Sequence, residues 1–100
     1  MCIRDREAYY ARNRDYKKAL EYILKSNYSD DHGVAEVAIL YWLNNEKDAA
    51  LRRYAEVLQI NPNYTIEEYI YWQEMWSETG LEFYPLALEE IAEAYKKSKK

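Results

Sequence analysis

Glycine, proline and cysteine are all scarce in this sequence. Its 100 residues include two glycines, two prolines and one cysteine. Glycine and proline mark most turns, so their scarcity predicts long elements with few breaks. Alanine, leucine, glutamate and lysine are plentiful and favour helix, and we therefore predict an all-α fold. The single cysteine, Cys2, cannot form an internal disulfide, which favours a reducing, cytoplasmic setting.

Long apolar runs are missing as well. The longest extends from Val37 to Leu43, far short of the roughly 20 residues that a membrane-spanning helix requires. The formal net charge is −4, whereas binding to nucleic acid requires lysine and arginine clustered on one face. The sequence therefore predicts neither a membrane span nor a nucleic-acid partner.

The first six residues, MCIRDR, resemble the translation of a sequencing adapter of the kind found at the ends of metagenomic reading frames. We expect residues 1–6 to be a non-native leader. The remaining chain is then expected to be a fragment of a longer protein.

Apolar residues recur at three- and four-residue steps along most of the chain, which predicts about six helices. Polar residues around Asn13 separate the first two helices, and Asn44-Asn45 supplies a turn between the third and fourth. Thr65, with Glu68 three residues later, forms the capping box of the fifth helix. Other helix starts are predicted at Asp15, at Asp30 or Asp31, at Glu46 and near Pro85. Helix ends are predicted at Ser26, Gln59 and Glu78.

The third and fourth helices carry a pattern with regular internal spacing. Ala38 and Ala50 are small, as required where two helices cross closely. Tyr41 and Tyr54 are expected to fill the space beside that crossing, and a proline ends the unit. The full pattern consists of Val34, Val37, Ala38, Tyr41, Ala50, Tyr54 and Pro62.

A truncated copy of this pattern precedes the central one, and a partial copy follows it. The first copy is degenerate, because Glu7 stands where a small residue is expected. We predict a leader at 1–6, a degenerate repeat at 7–29, the best-preserved repeat at 30–64 and a divergent capping helix pair at 65–100. The matching positions are Tyr10, Ala19 and Ile23 in the first copy and Ala87, Ile91 and Ala94 in the last.

The pattern resembles the signature of the tetratricopeptide repeat family, with valine in place of both its tryptophan and its leucine. That resemblance implies a short α-solenoid of stacked helix pairs and a non-catalytic scaffold for protein–protein interaction. It also implies an apolar concave groove for a peptide or protein of unknown identity. The groove residues so implied are Ala35, Ile39, Trp42 and Leu43, with His32 and Glu36 nearby.

The sequence also allows two interpretations other than a partner-binding groove. Ile39 and Trp42 also suit packing against neighbouring helices, because an aromatic residue at helical spacing usually belongs to a core. The groove positions also lack the lysine and asparagine with which some family members grip a terminal carboxylate. Finally, the chain is also compatible with a structural or regulatory segment of a larger enzyme or signalling protein.

The fifth predicted helix is unusually aromatic. Twelve tyrosines and three tryptophans exceed what a core of this size needs, so some are expected on the surface. Exposed tyrosine and tryptophan often anchor interfaces. We predict an aromatic contact surface for self-association, or a face that missing repeats would cover, formed by Tyr69, Tyr71, Trp72 and Trp76.

Candidate catalytic and metal-binding groups are few. Asp30, Asp31 and His32 lack the spaced further ligands that a metal requires, and helix capping explains the two acids. Cys2 has no evident base, and a glycine-rich phosphate loop is absent from the sequence. We therefore predict no active site, no metal and no cofactor.

Overall fold

The computed structural model describes residues 9–25, 31–75 and 83–98. Within these ranges the chain forms helices and turns without a β-strand, which confirms the all-α prediction. A helical segment at 9–12 precedes the longer elements. The helices are α1 (Tyr16–Lys25), α2 (Asp31–Leu43), α3 (Lys47–Ile60), α4 (Ile66–Met75) and α5 (Phe83–Ser98).

Side-chain caps mark two of the helix starts that the sequence predicts, those of α1 and α4. The Asp15 carboxylate accepts a hydrogen bond from the Lys18 backbone N–H at 3.3 Å. The Thr65 hydroxyl accepts one from the Glu68 N–H at 3.2 Å. Each bond satisfies a backbone donor that has no partner inside its own helix.

The Glu68 carboxylate departs from the predicted capping box. It accepts from the Asn61 side-chain amide at 3.2 Å, and the same amide donates to the Asp31 carboxylate at 3.1 Å. Asn61 therefore joins the first turn of α2 to the first turn of α4. The sequence pattern predicts that Glu68 caps α4. In the structure its carboxylate instead helps, through Asn61, to fix the position of α4 relative to α2.

The turns before α1 and before α3 have the same backbone structure. Arg14 donates its N–H to the Ala11 carbonyl, and Asp15 donates to the Tyr10 carbonyl. Asn45 and Glu46 donate in the same pattern, to Trp42 and Tyr41. Arg14 and Asn45 both adopt the left-handed conformation, with φ of 63° and 64°. This is the Schellman arrangement, which satisfies the last carbonyls of a helix.

Helix α2 lies at the centre of the molecule. Every residue from Gly33 to Leu40 is buried, as expected of a core helix whose residues in this stretch, apart from Glu36, are all apolar or glycine. The spacing of Val34, Val37, Ala38, Tyr41 and Trp42 by itself predicts one apolar face on this helix, whereas buried residues surround it from 33 to 40. Three other helices cover α2: α3 folds back along it, α1 packs beside it, and α5 crosses both α2 and α3.

Helix α4 packs against α5. It contributes Tyr69, which is fully buried, while its outer side remains open. Helix α5 already includes Phe83 and Tyr84, two residues earlier than the start predicted at Pro85. Pro85 still lies near the start of the described helix, where a proline is tolerated because its missing N–H is not needed. No helix in the described ranges is long and apolar enough to cross a membrane.

Candidate partner-binding surfaces

The four predicted groove residues divide into two buried and two partly exposed side chains. Ala35 and Ile39 are 0% exposed and belong to the core. Trp42 and Leu43, at the end of α2, are partly exposed and pack against that core. Glu36, expected near the groove, is fully buried. Of the four predicted groove residues, all of which the structure describes, Trp42 and Leu43 are the ones that reach the surface.

Trp42 lines an open cleft of about 680 Å³ between the end of α2 and the outer face of α5. Leu86 forms one apolar side of the cleft and is 64% exposed. Ala94 lies further along α5. The remaining lining residues are charged: Lys47, Glu89, Glu90, Glu93 and Lys97.

Two interactions fix the environment of the Trp42 indole. Its N–H donates to the Glu90 carboxylate, with 2.9 Å between Nε1 and Oε1. The ammonium of Lys47 lies 4.4 Å from the centre of the ring, within the range of a cation–π interaction. The ring therefore has a carboxylate at its edge and a cation on its face. Sequence reasoning missed the contribution of α5, although Leu86, Glu90 and Glu93 recur at the spacing of one helix face.

A second groove runs along the outer side of α3, with a volume of about 700 Å³. Leu51 and Leu58, two turns apart on α3, and Tyr95 on α5 line its apolar part. Both leucines are partly exposed and also pack against the core. The groove is wide open and carries no charged cluster comparable with that of the Trp42 cleft.

The predicted aromatic surface is distributed over both sides of α4. Tyr69 faces the core, whereas Tyr71 is 54% exposed. Trp72 is partly exposed and meets Tyr71 edge to face, with ring centres 5.4 Å apart. Trp76 lies outside the described residues. Two aliphatic side chains that sequence reasoning did not include extend the open face, Ile70 and Met75.

The repeat-signature residues lie largely inside the molecule. Val34, Val37, Ala38 and Ala50 are buried, Tyr41 is partly buried and Pro62 lies exposed in the turn after α3. Tyr54 packs edge to face on Tyr95, with ring centres 5.2 Å apart. Burial, with the nearby Tyr95 as a lesser cause, raises the pKa of the Tyr54 phenol above 10.0.

No group of three or more histidine, cysteine, aspartate or glutamate side chains suited to a metal occurs in the described part of the chain. Cys2, Asp30 and the His32 side chain lie outside that part, as does the predicted leader at 1–6. Glu89, Glu90 and Glu93 line the cleft together. Their arrangement along one helix face suits attraction of a cationic side chain.

Comparisons with protein-family models, with curated proteins and with solved structures found no match for this chain.

Proposed function

We propose that the chain is a tetratricopeptide-like helical repeat segment that acts as a non-catalytic scaffold and binds a peptide or protein partner. The support for a repeat is internal to the molecule. The Schellman turns centred on Arg14 and Asn45 have the same hydrogen bonds and the same φ. The small residues that follow them, Ala19 and Ala50, are both fully buried.

A contact between the two copies supports their stacking. The Asn44 side-chain amide donates to the Leu40 carbonyl within its own helix pair, at 3.0 Å. It also donates to the Tyr16 carbonyl of the first copy, at 3.1 Å. A residue of the central turn therefore connects successive units, as stacked repeats require.

The Trp42 cleft is the observation that carries the binding function. A partly exposed tryptophan lies in a concave surface beside a leucine that is largely exposed. Tryptophan is enriched among the residues that contribute most to binding energy in protein interfaces.

Affinity capture with quantitative mass spectrometry tests this function. The wild-type chain, Trp42→Ala and Ile60→Ala are used as baits in the same lysate, and circular dichroism checks that each variant is folded. Ile60 is the control because it is a large apolar side chain, 50% exposed, that lies at the end of α3 and outside both candidate surfaces. We expect Trp42→Ala to lose a protein that both other baits retain; equal retention by all three baits would contradict a partner site at Trp42.

Self-association through α4 is a second candidate function. Its specific support is the exposed face formed by Ile70, Tyr71 and Met75, of which the last two are more than half exposed. Sedimentation velocity over a wide concentration range tests it with the wild type and Tyr71→Glu. A dimer that the substitution dissociates supports this candidate, and a wild-type monomer at the highest concentration removes it.

A further inference from the structure

We propose that the Trp42 cleft binds a positively charged segment of a protein partner, with an arginine or lysine of that segment seated on the indole face. This inference depends on the proposed function and adds the chemistry of the partner. It is carried by the charge of the cleft, by the surroundings of the indole and by the apolar residues at its side.

The α5 side of the cleft is acidic. Glu89, Glu90 and Glu93 are all exposed and line the same cleft. Two lysines also line it, so carboxylates outnumber ammonium groups, and the whole chain carries a formal net charge of −4. A concave surface of this sign raises the local concentration of cationic segments and speeds their association.

The indole already holds a cation of this chain. The Lys47 ammonium occupies the ring face at 4.4 Å, and the Glu90 carboxylate accepts the indole N–H at the ring edge. Lys47 is itself exposed, so water can solvate its ammonium when another cation takes the ring face. An arginine from a partner is suited to replace it, because a guanidinium is more weakly hydrated than an ammonium and stacks on aromatic rings.

The apolar part of the cleft specifies the rest of the segment. Leu86 lies one helical turn before Glu90 on α5, and Ala94 lies one turn after it. Leu86 and Glu90 share one face of α5, so a segment bound there has to present basic and apolar side chains together. A segment with basic and apolar residues side by side offers cations to the carboxylates and aliphatic groups to Leu86. An acidic segment would place its charges against three carboxylates, which disfavours it.

Chemical-shift titration of the Trp42 indole N–H tests the proposal. The signal is assigned by its loss in Trp42→Phe. Three capped peptides serve as probes, in which leucine alternates with arginine, with glutamine or with glutamate. We expect the arginine peptide alone to shift the indole signal, and added salt to weaken its binding.

Two variants sharpen this test. Glu89→Gln/Glu93→Gln should weaken binding of the arginine peptide about three- to tenfold, because two attractive charges are lost. Lys47→Gln should strengthen it about two- to fivefold, because a competing cation leaves the ring face. The matched controls are Glu21→Gln/Glu74→Gln and Lys17→Gln, which change exposed charges elsewhere by the same amount and should leave the affinity within about twofold.

Different outcomes overturn different claims. Equal shifts with the glutamine or glutamate peptide would overturn the preference for a cation while leaving Trp42 as a binding residue. No shift with any peptide would overturn the proposal for the cleft. In that case, loss of a captured partner in Trp42→Ala would still support the scaffold function, so the two failures are distinguishable.

Discussion

The turn at residues 13–15 and the turn at residues 44–46 have the same backbone geometry but different residues at the position with positive φ. Asn45 occupies the left-handed position in the central copy, where asparagine is among the residues that tolerate it best. Arg14 occupies it in the first copy, and an ordinary residue there costs about 1–2 kcal/mol. The turn at residues 13–15 therefore has the same backbone geometry with a less suitable residue at positive φ. We expect packing, rather than local preference, to maintain that turn.

The largest effect is expected from a core substitution in the first proposed copy, which tests whether that copy is packed as firmly as the central one. Ile23, the counterpart of Tyr54, is 4% exposed, so Ile23→Ala should lower the free energy of unfolding by about 2–5 kcal/mol. Leu24→Ala is the control, because Leu24 is 37% exposed. Urea denaturation measures both, and equal small effects would show that the first copy is not part of the cooperative core.

The helix crossings should respond alike in the two copies. Ala19 and Ala50 are both 0% exposed, so leucine at either position should destabilise the protein by about 1–3 kcal/mol through overpacking. Ala55→Leu, at a partly exposed position of α3, should cost much less. Thermal unfolding of the three variants checks this, and tolerance of leucine at only one crossing would break the equivalence of the copies.

Asn44 makes a hydrogen bond between the two proposed copies, and its counterpart Asn13 bonds within its own copy. Asn44 donates to Tyr16 and Leu40, whereas Asn13 donates to Tyr9 within its own copy. Asn44→Ala should therefore cost about 1–2 kcal/mol and Asn13→Ala about half as much. Chemical denaturation compares the two variants, and a larger cost for Asn13→Ala would contradict the role of Asn44 between copies.

Glycine at the left-handed positions should stabilise the two copies unequally. Arg14→Gly should raise the free energy of unfolding by about 1 kcal/mol, because glycine removes the steric cost of positive φ. Asn45→Gly should change it by only a few tenths of a kcal/mol. Urea unfolding resolves the difference, and the reverse order would contradict the φ values of the two turns.

The smallest expected effect appears at high pH. Because the pKa of Tyr54 is raised in the folded state, its contribution to stability is fully present below pH 10 and declines as pH rises through the folded-state pKa. Tyr54→Phe should therefore show a shallower loss of stability above pH 10 than the wild type. Tyr71→Phe, at an exposed ring, provides the comparison in urea titrations at pH 8 to 11. Identical slopes for all three proteins would contradict a buried phenol at position 54.

The sequence predicts the helices and their caps better than it predicts how the helices pack against one another. Caps at Asp15 and Thr65 and the turn at Asn44-Asn45 depend on residues a few positions apart, and the structure confirms them. The burial of Ile39 depends on how α1, α3 and α5 surround α2, which helical periodicity alone does not specify. Periodicity also does not specify which helix Leu86 and Glu90 lie against. The structure was therefore needed to show that α5 forms one side of the cleft.

Hydroxyl-radical footprinting of the chain with its captured partner shows where the partner binds, because one experiment reads both the Trp42 cleft and the open face of α4. If the partner occupies the Trp42 cleft, oxidation of Trp42 and Leu86 should fall on binding, while Tyr71 and Met75 on α4 should remain as reactive as in the free chain. Protection of Tyr71 and Met75 with unchanged oxidation of Trp42 and Leu86 would contradict the account.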